Sequence, residues 1–456
     1  MEIQQNLLKN KFYNFMDLII QFIGVFYLLL QIKNIWKLAP LWILILINTY
    51  FFGLLTKEFF FIGPYNLIPQ ISVTLLFIQA FLLYLNKNKK IGNYLKSFLF
   101  IKYSLIFLFF IQVLSLFNTF FNGYNKFESF LFPFLEFVTF IFIPILYVLF
   151  RKIEINLMYK FWRLLMRFTI LNVILYILNN LGILNFYDKE LYIKVVDSDL
   201  TRTLQGFPIF LFFLFFETYL RLRKKITFKQ ALIMFLIFVA LILTLTRSLI
   251  LTFIIVFFIA EIIKLKFTNI IKFIKNSLIL AVSVFLLSLV IPSYFLAFQN
   301  RLTESANIAE INNVSSRVNV SASRFDKTNE LGPLLGIGFV HKNDAPRLNL
   351  SYDPDRLIHP DIFWPNLYST VGIIGSFSFF IFLFLLIKIF LNNIKTSNIS
   401  LMLFCYVVYC LILSFSGSGL WFRYSSIFVI CISLGLYFIN YNKRQHIYEY
   451  NNLSKK

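Results

Sequence analysis

Long apolar runs recur along almost the whole chain, and they constrain its fold more than any single motif does. Many of them approach the ~20 residues that a helix needs to cross the hydrocarbon core of a bilayer. The chain has 456 residues, of which 59% are hydrophobic and only 14% charged, too few polar side chains to cover a soluble protein of that size. The sequence therefore predicts an all-α polytopic membrane protein with one helical bundle.

Hydropathy gives roughly twelve or thirteen spans, with boundaries good to about two to four residues. The segments are residues 17–32, 38–56, 63–85, 98–118, 128–150, 162–183, 203–220, 230–246, 248–263, 276–297, 366–390, 398–415 and 421–440. Thirteen spans would put the N-terminus outside, which Lys9 and Lys11 disfavour, so both counts stay open. Met1–Asn14 is polar and no short apolar segment ends in a small-residue site, so we expect no cleavable signal peptide.

The spans divide the chain into three parts. We expect residues 1–297 to form about ten spans and residues 298–365 to form a long external loop with short helices. Residues 366–456 then supply the last three spans and a basic tail. A polar helix is predicted inside the loop, from Ser315 to Gly332, because Gly332-Pro333 ends it.

The formal charge of +22 is distributed so that it reports topology. Residues 298–365 hold seven Lys/Arg and eight Asp/Glu, whereas the rest of the chain holds 36 and 13. The cations concentrate in short loops, which marks those loops as cytoplasmic. The long loop must then face outward, and we expect no nucleic-acid partner.

The three cysteines, Cys405, Cys410 and Cys431, all fall in apolar runs near the C-terminus. We interpret them as buried small hydrophobic residues, because their setting suits neither a disulfide framework nor a metal site.

Arg247 follows Thr244-Leu-Thr246 between two apolar runs. One helix from Ala231 to Ile263 would be ~50 Å long, well beyond a ~30 Å hydrocarbon core, so the chain must turn near Arg247. The arginine is then at the outer ends of two short helices. Either it reaches the membrane interface as an ordinary turn residue or it binds an anion, and both interpretations stay open.

Two arginines of the long loop, Arg317 and Arg324, are seven residues apart and so share one face of the predicted helix. A guanidinium group can donate two parallel hydrogen bonds to two phosphate oxygens, and it stays charged at any working pH. Both properties suit a diphosphate ligand. Arg324 has an alternative as a residue of a solvated face, paired with Asp326 or Glu330. Arg317 opens the helix and is the stronger candidate.

His359 lies just before the chain re-enters the membrane, with Asp361 two residues later. An imidazole is suited to proton transfer near neutral pH, although a histidine in a polar loop is also a common surface residue. His341 is a weaker candidate because charged neighbours surround it. Arg423, at the outer end of the last span, either lines the same cavity or anchors the interface.

The sequence lacks the phosphate-binding loop, the Cys/His metal spacing and the nucleophile elbow that mark other enzyme classes. Asp197-Ser-Asp199 and Asp353-Pro-Asp355 match a metal-binding carboxylate pair only as three-residue patterns. We therefore expect neither a metal nor a cofactor.

The order of these elements resembles the O-antigen ligase and Wzy-type polysaccharide polymerase superfamily. The motifs that carry it are Arg202-Thr-Leu-Gln-Gly206-Phe-Pro208, Thr246-Arg247-Ser248, Ser316-Arg317, Pro333-Leu-Leu-Gly336-Ile-Gly338 and His359, followed by Gly372 and Gly375 in the next span. The resemblance covers Asp197 to about Arg423, and the earlier spans match only as hydrophobic helices.

The resemblance implies a metal-independent, GT-C-like glycosyl transfer from an undecaprenyl-diphosphate-linked sugar in the bacterial inner membrane. Arg202, Arg247 and Arg317 would hold the donor diphosphate, and His359 or Asp361 would activate the acceptor hydroxyl. It also implies membrane lipid, a chain-length regulator and a flippase of the same pathway as partners.

Two departures from the family pattern favour a polymerase over a ligase. His359 is followed by Pro360 at a longer spacing to Gly372 than ligases have, and Ser321 stands where a tryptophan is expected. The leading hypothesis is therefore a polymerase of lipid-linked O-antigen or capsule repeat units. Alternatives are a ligase acting on lipid A core or protein, and a flippase, which usually lacks a long external loop.

Overall fold

The structure is a computed structural model of the 456-residue chain. It describes residues 106–107, 110–111, 113–114, 117, 140, 142–151, 153–184, 192–194, 201–203, 210–264, 296, 312–338, 363–394, 397–416 and 427–441. Most of these residues are helical, and the exception is one short two-stranded ribbon. The predicted all-α membrane architecture is confirmed for this part of the chain.

The helices and strands follow in a simple order. They are α1 (Phe142–Phe150), α2 (Ile155–Asn180), β1 (Tyr192–Lys194), β2 (Thr201–Thr203), α3 (Leu211–Lys224), α4 (Phe228–Leu243), α5 (Arg247–Lys264), α6 (Asn312–Leu331), α7 (Phe363–Asn393), α8 (Asn398–Ser416) and α9 (Ile427–Tyr441). Within the described residues, α2, α7 and α8 are long and apolar enough to cross a membrane, and α4, α5 and α9 are shorter apolar helices.

The first compact unit contains α2, β1, β2, α3 and α4. Helix α2 contacts both α3 and α4. Large aromatic side chains form part of this packing. The rings of Trp162 on α2 and Phe213 on α3 meet edge to face at 5.5 Å, and the Trp162 indole donates a 3.0 Å hydrogen bond to Glu217. Glu217 also pairs with Arg221 one turn later, so this acid is neutralised within its own unit.

The ribbon of β1 and β2 also belongs to the first unit. The strands are antiparallel, with Ile193 opposite Arg202. The sequence predicts only a connection between spans 162–183 and 203–220 here, and hydropathy gives no signal for two strands of three residues each. The ribbon packs against α2. The next helix begins at Leu211, eight residues after the start of the predicted span at residue 203.

The second compact unit contains α1 and α5 to α9. Helix α8 is central to it because it packs against both α5 and α7. Phe253 of α5 meets Tyr409 of α8 edge to face at 5.2 Å. Helix α9 reaches α1 through the Ser433 hydroxyl, which donates to the Ile143 carbonyl at 3.2 Å.

Several sequence predictions within these units are confirmed. The chain turns between α4, which ends at Leu243, and α5, which begins at Arg247. All three cysteines are buried and none forms a disulfide. Predicted spans 162–183, 366–390 and 398–415 correspond to α2, α7 and α8. The three-part division at residues 297 and 365 stays a prediction.

Candidate functional site

Helix α6 carries both arginines of the predicted loop helix. It runs from Asn312 to Leu331, which confirms the helix predicted from Ser315 to Gly332. Arg317 and Arg324 therefore lie two turns apart on one helix, at backbone positions that share a face. The helix ends because Pro333 has no backbone N–H with which to continue it.

Arg324 is buried, with 7% of its surface exposed. Asp326 and Glu330 are exposed instead, and Glu330 accepts a 2.6 Å hydrogen bond from Lys327. The interpretation of Arg324 as part of a solvated face is therefore wrong. A guanidinium is withdrawn from water only at a high free-energy cost, so its burial needs polar or charged surroundings.

A short turn follows α6 and joins it to α7 through the backbone. Helix α7 is interrupted at Gly372, where φ is 65° and ψ is −167°. At this break the Ile373 amide donates to the Pro333 carbonyl at 2.9 Å, and the Ile374 amide donates to the Leu334 carbonyl at 3.2 Å. The turn thus supplies acceptors that residues 369 and 370 would supply in an unbroken helix.

The exchange also runs in the opposite direction. The Ser369 carbonyl, which lost its helical partner at the break, accepts a 2.7 Å hydrogen bond from the Ile337 amide. The turn itself is closed by a 2.7 Å bond from the Gly336 amide to the Gly332 carbonyl. We call this set of backbone bonds between residues 333–338 and residues 369–374 the backbone junction.

Glycine is required at the two positions where the two backbone segments of the junction approach most closely. Gly336 has φ of 79°, and a Cβ there would lie 2.6 Å from the Thr370 carbonyl oxygen. Gly372 has φ of 65°, and a Cβ there would overlap the Leu334 carbonyl and the Gly336 amide. Both the left-handed backbone and the contact distance exclude a side chain. The Pro-Leu-Leu-Gly-Ile-Gly motif is therefore explained as a docking element.

Side chains of α6 and α7 reinforce the junction. The Tyr368 hydroxyl of α7 donates to the Asn329 amide oxygen of α6. The Tyr368 ring lies 5.1 Å from the ring of Phe325, with 30° between their planes. Within α7, the Thr370 hydroxyl donates a 2.7 Å bond to the Asn366 carbonyl. The two contacts of Tyr368 hold the arginine-bearing helix against the N-terminal part of α7.

Arg247 is the first residue of α5. The turn before it is held by the Thr244 hydroxyl, which donates to the Leu241 carbonyl at 2.6 Å and accepts from the Thr246 amide at 3.2 Å. Leu245 has a positive φ of 47°, a conformation rare for a branched residue. The N-terminal end of a helix carries a partial positive charge and attracts anions. An arginine at the first position of α5 has the same sign of charge as this helix end.

The predicted arginines do not all belong to the same compact unit. Arg202 is the central residue of β2 in the first unit, whereas Arg247, Arg317 and Arg324 belong to the second. Arg317 and Arg324 are brought together on α6. The other predicted site residues, His341, His359, Asp361 and Arg423, lie outside the described residues, and their roles stay predictions.

Sequence reasoning missed the residues that dock α6 onto α7. Tyr368 and Asn329 are ordinary residues for a span end and a polar helix, and they are 39 residues apart. Gly336 and Gly372 were recognised as motif positions, but their contact was not. Among the described residues, no group of three or more His, Cys, Asp or Glu side chains is placed to hold a metal ion.

The described residues define a helical membrane protein in which a polar helix, α6, is docked onto an interrupted apolar helix, α7. Residues 232–380 match the profile of the O-antigen ligase family. This segment contains α5, α6 and the complete backbone junction. This segment of the chain is similar to that family, which supports the resemblance drawn from the motifs. No curated protein matches the sequence.

The match assigns a general class of activity. It supports an enzyme of the O-antigen ligase and polysaccharide polymerase group, which is glycosyltransferase-like. Together with the apolar helices, it makes the chain a membrane protein. The match ends at residue 380 and begins at residue 232, so Arg202 and Arg423 fall outside it.

Proposed function

We propose that the protein is a polymerase of lipid-linked surface polysaccharide in the bacterial inner membrane. It transfers the growing glycan from undecaprenyl diphosphate to the non-reducing end of an incoming lipid-linked repeat unit. The observation that carries the proposal is the arginine-bearing helix α6, docked onto the broken span α7 inside the segment that matches the family. A flippase and a chain-length regulator would act beside it.

The arginines act on the donor diphosphate. Arg317 and Arg324 share one helix, and Arg247 adds a guanidinium at the start of α5. As the bond between the sugar and the diphosphate breaks, negative charge develops on the leaving phosphate oxygen. Preorganised donors aimed at such charge are worth about 10²–10³ in rate each, and guanidinium groups present two donors to two oxygens.

The acceptor hydroxyl attacks the anomeric carbon of the donor sugar. A base, His359 or Asp361, takes the proton of that hydroxyl while the new glycosidic bond forms. Undecaprenyl diphosphate leaves with the electron pair of the broken bond. Because fixed guanidinium groups supply the positive charge in this scheme, transfer should need no divalent metal.

A ligase is the second candidate, and the description of the matching family favours it directly. A ligase would bind the donor diphosphate with the same arginines but would transfer the glycan to lipid A core or protein. The difference lies in the acceptor side, where His359-Pro360 and Ser321 depart from the ligase pattern. These departures support the polymerase.

The experiment is a reconstituted transfer reaction. The purified protein in vesicles, with EDTA present, is given a lipid-linked repeat unit alone or together with lipid A core. A ladder of longer glycans from the repeat unit alone is the expected result. A single transfer that requires lipid A core would replace the polymerase by the ligase. Transbilayer movement without any new glycosidic bond would overturn both.

A further inference from the structure

The backbone junction has an apolar edge that a polar external loop does not need. Leu331, the last residue of the polar helix α6, is 55% exposed, and Leu334 in the turn after it is 61% exposed. Beside them on α7, Ile373 is 56% exposed. Three large aliphatic side chains in the open are unfavourable in water. Exposed clusters of this kind mark surfaces that contact a membrane or another molecule.

This edge continues into the lipid-facing surface of α7. Further along that helix, Phe377 and Phe384 are 66% and 63% exposed, and they lie four and eleven residues after Ile373. Such spacing keeps them on one face of the helix. A long apolar helix that exposes an aromatic stripe uses that stripe against acyl chains. The apolar edge extends the same surface outward.

The position of the junction along α7 fixes its depth. Lys388 is the first charged residue on the exposed stripe and marks the cytoplasmic boundary of the hydrocarbon. About twenty residues, or ~30 Å, are needed to cross the core, which puts the outer boundary near Tyr368. Gly372, four residues further along, is then ~6 Å inside that boundary. The turn that bonds to it lies at the same depth.

Irregular backbone is tolerated at membrane depth only where its polar groups are satisfied within the protein. The junction meets this condition for the backbone groups that dock the turn onto α7. The carbonyls of Pro333 and Leu334 accept from α7, and the Ile337 amide donates to α7. Gly336 closes the turn internally. The bonds that dock the turn therefore also allow it to enter lipid.

We propose that residues 331–338 form a re-entrant turn whose apolar edge, Leu331, Leu334 and Ile373, is covered by acyl chains of the outer leaflet. The segment predicted as a loop in water thus returns to the membrane before its last stretch. This places the end of α6 at the membrane surface, where the diphosphate of a lipid-linked substrate lies. The inference does not depend on the chemistry of transfer.

The test measures where a probe at Leu334 resides. Full-length protein with Leu334→Cys is labelled with bimane and reconstituted into phosphatidylcholine vesicles, and quenching is compared for doxyl lipid and for aqueous iodide. Asp326→Cys, on the exposed face of α6, is the aqueous control, and Phe377→Cys is the lipid control. The native cysteines are buried, so unsubstituted protein gives the labelling background.

At Leu334 we expect doxyl quenching close to that at Phe377, and iodide quenching about threefold weaker than at Asp326. Strong iodide quenching with weak doxyl quenching would overturn the proposal, because the turn would lie in water. Protection from both quenchers would also overturn it, since protein would then cover the edge. Leu331→Cys gives the same comparison if the first variant does not fold.

Discussion

Helices α7 and α8 are neighbours in one unit, and both are long and apolar enough to cross a membrane. Helix α8 is helical throughout and buries its cysteines among other apolar side chains. Helix α7 is broken at Gly372 and completed by the backbone of residues 333–338. An ordinary span needs only apolar residues, whereas a span that receives a second backbone needs glycine at fixed positions. The Pro-Leu-Leu-Gly-Ile-Gly motif and Gly372 meet the needs of a span that receives a second backbone.

The largest expected effect comes from filling the junction. Gly372→Ala combines a left-handed backbone with overlap against Leu334 and Gly336, so it should lower the free energy of unfolding by about 3 kcal/mol or more. Gly182→Ala is the matched control, because Gly182 also has a positive φ of 72° but nothing within 4 Å. It should cost about 1–2 kcal/mol. Thermal unfolding in detergent, followed by tryptophan fluorescence, measures both. Equal shifts for the two variants would contradict the role of the junction.

A slightly smaller effect is expected for Gly336→Ala. Its Cβ would lie 2.6 Å from the Thr370 carbonyl, and the loop can shift more easily than the span can. The double variant with Gly372→Ala should be less destabilised than the sum of the two single variants, because either change already opens the same junction. Additive losses, measured by the same unfolding assay, would mean that the two glycines act separately.

The sequence predicts α2, α7 and α8 well because apolar runs of the right length have few alternatives in lipid. It also predicts α6, since Gly332-Pro333 ends a polar helical run. It does not predict the break in α7, because the acceptors for Ile373 and Ile374 come from residues 40 positions earlier. Local pattern carries no information on such a pairing. The strand containing Arg202 is missed for a different reason: its partner lies only nine residues earlier, but strands of three residues are too short to give a hydropathy pattern.

A moderate effect is expected where side chains, and not backbone, join α6 to α7. Tyr368→Phe removes the hydroxyl that bonds to Asn329 but keeps the ring beside Phe325. The loss should be about 0.5–1.5 kcal/mol. A double-mutant cycle with Asn329→Ala should recover most of that value as coupling. Zero coupling energy would show that the bond contributes nothing to docking.

The smallest effect is expected away from the junction, in helices that meet only through side chains. Ser433→Ala removes a hydroxyl that lies 2.6 Å from the Val429 carbonyl of its own helix and 3.2 Å from the Ile143 carbonyl of α1, and losing the contact with α1 should cost about 0.6 kcal/mol. Ser414→Ala is the control, since that hydroxyl bonds only within α8, to the Leu411 carbonyl at 2.6 Å. Thermal unfolding should separate the two by about 1–2 °C. A larger loss for Ser414→Ala would reverse the assignment.

The central claim is that the helix held by the junction grips the donor diphosphate through Arg317. The most direct measurement is single-turnover glycan transfer by Arg317→Ala, with Lys327→Ala as a charge-matched control on the same helix. Arg317→Ala should lower the transfer rate by about 10²-fold or more while the protein stays inserted and folded. Lys327→Ala should change the rate by less than about twofold, because its ion pair with the exposed Glu330 is weak. A normal glycan ladder from Arg317→Ala would contradict the claim.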